Sequence, residues 1–197
     1  MPSPYVAEVQ TARWTSDAVR QAFRDAGFSV TEWPLTQHLE KQLPADAIFF
    51  SRRFSKLFGF QYKTVYRNGK DHWPLDPNQH RRLRVYPWIY YCCSELRDPA
   101  DHGLALHFAR IYATGFGYQP RLSGSSYSEG QARYIRWGAF YQQLKQCRAG
   151  LRVTSRTDFA DAVGTLSGNA RLREVVQMGD VLLADFDRRA VLVERLF

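Results

Sequence analysis

Three side chains carry the clearest chemical potential in this chain: Asp46 in "PADAIFF", and Gln61 and Lys63 in "FGFQYK". Gln61 and Lys63 stand two apart in an aromatic run with strand character, so their side chains share one face. Asp46 opens the β-rich run before it. If the two runs form a hairpin, the start of the first lies near the end of the second, and the acid approaches the lysine across the ladder. An acid, an amide oxygen and an amine gathered in this way suit phosphodiester hydrolysis. The acid and the amide oxygen match the hard-oxygen preference of Mg²⁺ (or Mn²⁺), which lowers the pKa of a bound water. Lys63 would orient that water or stabilise the pentavalent phosphate. The same spacing also describes the wet face of an edge hairpin with no chemistry at all, and the residues alone leave both readings open.

The elements that must position these residues follow from local pattern. "TSDAVRQAFRDAGF" reads as an amphipathic helix capped by Thr15, Ser16 or Asp17 and ended by Gly27. "FSVTEW" alternates like a strand and stops at Pro34. "DAIFFSRRF" and "KLFGFQYKTVY" are β-rich runs joined by a tight basic turn near Ser51–Lys56. "NQHRRLRVY" suggests a short helix opened by Asn78, and "WIYYCCSEL" a fully buried strand. "LALHFARIYATGF" fits strand or helix. The resulting order is helix, strand, strand, strand, helix, strand.

After "QPRLSGSSYSEG", the most loop-like segment, the character changes. "EGQARYIRWGAFYQQLKQCRAG" places Tyr134, Trp137, Tyr141 and Leu144 on one helical stripe, which is either core or a partner-binding face. "DFADAVGTL" and "ARLREVVQMGDVLLADFDRRAVLVERLF" also read as helical. The expected fold is therefore an α/β core over residues 1–118 with an appended helical region over 119–197, most economically one domain.

The 197 residues include 27 Lys+Arg against 19 Asp+Glu, a net charge of +8. That excess points to a polyanionic partner, nucleic acid first. It concentrates at Arg52, Arg53, Lys56, Lys63, Arg67 and Lys70, with Arg81, Arg82 and Arg84 following. Such a cluster suits phosphate tracking with salt-dependent affinity, or else it is a solvated charged face. No run approaches the ~20 apolar residues of a membrane span. The N-terminus also lacks the pattern of a secretory signal, so a cytoplasmic protein is expected. Cys92, Cys93 and Cys147 are odd in number and lack metal-ligand spacing, and they read as reduced core residues. His72, His80, His102 and His107 read as ordinary structural residues, and most of the tryptophans as core.

"PADAIFF" followed by "FGFQYK" resembles the PD-(D/E)xK, or restriction-endonuclease-like, nuclease superfamily, whose αβββαβ core matches the expected element order. Gln61 stands where a second acid is usual, as in the Gln-x-Lys variant of Mrr-type restriction endonucleases. The resemblance covers roughly residues 5–97. It implies a metal-dependent endonuclease or exonuclease with Asp46, Gln61 and Lys63 as catalytic residues, Asp46 and Gln61 as metal ligands, and DNA favoured over RNA. It also implies an acid from the first helical region, for which Glu8 is the nearest candidate and Glu32 and Glu40 are rivals. Gln79 matches a helix glutamine found in some members. The setting implied is restriction, phage defence or DNA repair, with a protein partner or a second copy engaged through the C-terminal helices. The alternative is an inactive nucleic-acid-binding or scaffolding subunit on the same fold.

Overall fold

A computed structural model describes residues 4–34, 44–66, 71–123 and 133–155, together with Asp158 and Ala162. Its order is α1 (Glu8–Asp25), β1 (Thr31–Pro34), β2 (Ala47–Ser51), β3 (Lys56–Thr64), β4 (His72–Pro74), α2 (Pro77–Leu83) and β5 (Ile89–Ser94). A 3-10 helix (Pro99–Leu104), β6 (Ala109–Ala113), β7 (Arg121–Ser123), β8 (Tyr134–Arg136), α3 (Trp137–Lys145) and β9 (Leu151–Arg152) follow. The protein is mixed α/β. A central sheet runs β1-β2-β3-β5-β6-β8 with β9 added beside β3, and β4 and β7 form a separate ribbon. Among the described strands only the β3–β5 pairing is parallel, the crossover between them containing α2.

The hairpin expected from the sequence is present. β2 and β3 pair antiparallel from Ala47 opposite Phe60 to Ser51 opposite Lys56. Period-two alternation then assigns the two faces of β3. Phe58, Phe60 and Tyr62 join one core with Phe23 of α1 and Phe140 of α3. Phe49 stacks on Phe58 at 5.2 Å between ring centroids, and Phe60 packs on Phe140 at 5.5 Å. Burying each such ring contributes roughly 1.5–3 kcal/mol. Leu57 belongs to the opposite core, with Ile48, Trp88 and Tyr91. Gln61 and Lys63 share that second face by alternation.

Helix α1 begins seven residues before the expected cap, at Glu8. Thr15 and Ser16 are buried within it, because its hydroxyl-bearing face turns toward β3, not to solvent. Its end is as expected, with Gly27 at φ +77°, a conformation that costs a residue with a Cβ. Helix α2 is capped by Asp76, whose side chain accepts from the Gln79 amide, so the cap lies two residues before Asn78. "LALHFARIYATGF" resolves into turns and β6.

The region after residue 118 departs most from expectation. Tyr134–Arg136 is a strand paired with β6, and Leu151–Arg152 pairs with Lys56–Leu57 of β3. The described part of this region therefore adds β8 and β9 to the central sheet and lays helix α3 against it. The stripe of α3 is core: Phe140 and Leu144 are fully buried, and Trp137 and Tyr141 pack on Phe23. The expected helices beyond Asp158, and any partner face on them, lie outside the described residues. Cys92 and Cys93 are buried, but Cys147 is exposed just past α3. Among the described residues no helix is long and apolar enough to cross a membrane.

Candidate active site

The site forms where β2 and β3 part company. Their pairing ends at Ala47–Phe60, yet β3 continues to Thr64. Its backbone from Gln61 onward therefore has no strand on that side among the described residues. Asp46 occupies the first gap. Its backbone N–H donates to the Phe60 carbonyl at 2.8 Å, and its carboxylate accepts the Tyr62 backbone N–H at 2.6 Å. Further along, the N-terminal segment takes over: Tyr5 N–H donates to the Val65 carbonyl, and Thr64 Oγ1 donates to the Val6 carbonyl. Glu8, at the head of α1, and Asp46 thus flank one notch in the sheet.

Gln61 is 2% exposed, and its Nε2 donates to both carboxylate oxygens of Asp46, at 2.9 and 2.8 Å. Its Oε1 is buried without a hydrogen-bond partner among the described residues, an arrangement that costs about 1–3 kcal/mol. Lys63 Nζ lies 3.4 Å from Glu8 Oε1, with the lysine side chain largely covered and the glutamate half open. The sequence anticipated Asp46 approaching Lys63. The structure instead joins Asp46 to Gln61 and Lys63 to Glu8, two pairs rooted in neighbouring residues of β3.

Glu8 is the acid that reaches Lys63. Glu32 is committed to Arg20, which also pairs with Asp17, and Glu40 lies outside the described residues. Gln79 sits in the first turn of α2, and its buried Oε1 accepts no hydrogen bond from any described residue, Gln61 and Lys63 included.

In front of the notch lies a cleft of about 680 Å³, lined by α1 from Glu8 to Arg20 and by Glu32, Asp46 and Tyr62 among others. Tyr62 forms part of its floor; its hydroxyl shares a 2.8 Å hydrogen bond with Ser16. Burial pushes the Tyr62 phenol well above its usual pKa, so it stays protonated. The cleft volume lies in the range of small-molecule sites. Alternation on β3 gave no sign of this wall, because its residues come from α1, β1 and β3 together. The hydroxyl spacing in α1 is the one local signal that could have found it.

The basic residues divide differently from expectation. Arg52 and Arg53 are exposed, but they lie in the β2–β3 turn. Five residues of extended chain, roughly 17 Å, separate Lys56 from Gln61. Lys56 is 3% exposed and so does not present its ammonium to a phosphate backbone. Arg81, Arg82 and Arg84 are exposed on α2 and just after it, whereas Arg67 and Lys70 lie outside the described residues. His80 is structural: it is 1% exposed, and its ring bonds the Tyr91 hydroxyl and the Phe116 carbonyl. Burial lowers its pKa against the opposing effect of that carbonyl.

The donor chemistry around Asp46 suits a hard cation in kind. In the present arrangement the Gln61 amide turns its NH₂ to the carboxylate and leaves its oxygen orphaned. A half-turn of that amide would set Oε1 beside the carboxylate, an arrangement favourable only with a cation between them. Mg²⁺ is commonly held by one or two carboxylates plus water and phosphate, and Asp46, Gln61 and Glu8 can supply no more than that. Among the described residues there is no group of three or more His, Cys, Asp or Glu side chains that could hold a metal ion. Comparison with protein-family models, with curated proteins and with solved structures gives no significant match.

Proposed function

We propose that the protein is a Mg²⁺-dependent nuclease-like hydrolase of nucleic-acid phosphodiesters, DNA favoured, on a restriction-endonuclease-like core. One observation carries the reading. Glu8, Asp46, Gln61 and Lys63, scattered over 56 positions of sequence, meet as two bonded pairs at one break in the sheet, and the two acids open onto a cleft. In this reading Asp46 and the Gln61 oxygen, with Glu8 as third donor, would hold the metal. When bound, the metal supplies charge neutralisation and an acidified water. Lys63, released in part from Glu8, orients the attacking water and stabilises charge on the phosphoryl oxygens. Asp46 also holds the Tyr62 amide, which fixes the carboxylate at the mouth of the notch. The exposed arginines provide long-range attraction for a polyanion.

A second reading has its own support. Gln61 Nε2 already satisfies both Asp46 oxygens, and Asp46 caps a strand N–H, which is enough to explain both residues structurally. On this reading the protein binds nucleic acid without cleaving it. The two readings separate on incubation of supercoiled plasmid and labelled single strands with Mg²⁺, using wild type, Asp46→Asn and Lys63→Ala. Chelator-sensitive cleavage lost in both variants supports the hydrolase. Equal behaviour of all three proteins, with binding retained, overturns it in favour of the second reading.

A further inference from the structure

The cations around the cleft are not equivalent. Arg20 is held by Asp17 and by Glu32. Lys63, behind the wall, is paired with Glu8. Arg13 lines the same cleft, is exposed, and makes no ion pair with any described residue. It stands five residues along α1 from Glu8, a rise of about 7.5 Å, the order of one nucleotide of backbone.

We infer that Arg13 is a substrate-anchoring residue: its guanidinium grips the phosphate neighbouring the one presented to Asp46. The inference rests on the hydrolase or binding reading above and adds a residue and a mode of recognition to it. A guanidinium presents a planar fork that matches two phosphate oxygens at once. One that lines the cleft with no ion pair to any described residue has its fork available to an incoming anion. The cleft offers little else that reads a nucleotide. Tyr62, the aromatic ring in its wall, is 1% exposed, so bases find no stacking platform there. Recognition in the cleft is therefore by backbone and independent of sequence. Glu8 and Asp46 repel an anion that arrives without a cation to screen them, so Arg13 also sets where along the cleft the strand enters.

The test uses the full chain and fluorescein-labelled dT12, read by anisotropy across NaCl concentrations in EDTA, alongside Mg²⁺-dependent cleavage. Arg13→Ala is expected to weaken binding about 3–10-fold. It should also flatten the slope of log K against log salt by about 0.7, the loss of one single-strand phosphate contact. Arg13→Lys recovers part of the affinity, and Arg97→Ala, whose side chain pairs with Asp71, serves as control. In cleavage, Arg13→Ala raises KM and leaves kcat nearly unchanged. If wild type binds and cleaves but Arg13→Ala changes neither salt slope nor KM, the anchoring role is overturned and the hydrolase stands. If nothing is cleaved yet Arg13→Ala flattens the slope, the anchor stands and hydrolysis falls. Absence of any wild-type binding, in EDTA and with Ca²⁺ in place of Mg²⁺ alike, overturns both.

Discussion

The two ends of the β2–β3 hairpin are built on opposite principles. At the turn end, Arg52 and Arg53 are exposed, and Arg53 lies over the Phe28 ring at 5.7 Å. At the open end, most of the polar groups are tied to a neighbour: Asp46 to Gln61 and Tyr62, Lys63 to Glu8, Ser16 to Tyr62. Exposed charge acts at a distance and tolerates change. A networked, half-buried set holds geometry, and each member depends on the others. The chain thus keeps its site and its most basic turn roughly a strand's length apart, so attraction and positioning can be altered separately.

The largest expected effect breaks the open end. Asp46→Ala removes the acceptor for both Gln61 Nε2 and the Tyr62 N–H, and leaves Gln61 without a partner at either amide atom. Cleavage should fall about 10²–10³-fold, and stability by about 1–3 kcal/mol, read by plasmid assay and urea titration. Full activity in this variant would remove the site from the open end altogether.

Next comes Gly150, which braces the turn end. It lies at φ +70°, and a Cβ there would meet the Leu57 carbonyl oxygen at 2.9 Å. Gly150→Ala should cost about 1–3 kcal/mol while kcat stays within about twofold. Equal losses of stability and kcat would mean that the two ends are not separable.

Gln61→Glu sharpens the metal question with a smaller effect. A second carboxylate against Asp46 lowers the melting temperature by several degrees without divalent ions, since about 1 kcal/mol corresponds to 2–4 °C at this chain length. Mg²⁺ should raise the melting temperature of this variant more than that of wild type. An identical response in the two proteins would show that no cation sits at position 61.

Smallest is the Arg52→Ala/Arg53→Ala double variant, expected to weaken oligonucleotide affinity a few-fold at low salt. Its kcat is unchanged, and its stability stays within about 0.5 kcal/mol, as for surface sites generally. A collapse of kcat would place the turn in contact with the reacting strand.

The hairpin, the shared face of Gln61 and Lys63, the buried β5 and the helix stop at Gly27 were legible in the residues. Each is a local consequence of alternation, turn chemistry or backbone freedom. Sequence pattern misjudged Tyr134–Arg136 because a short aromatic run fits a helical stripe as readily as a strand, and only pairing with β6 decides between them. It grouped the arginines by nearness in sequence, although a nine-residue strand carries the turn away from the site. Tertiary structure alone decided which acid meets Lys63, the position of the cleft wall and the lack of an ion pair at Arg13 among the described residues. Those outcomes depend on where β2 stops while β3 continues, and on how α1 is laid across the gap. Both are set by long-range packing that no window of sequence contains.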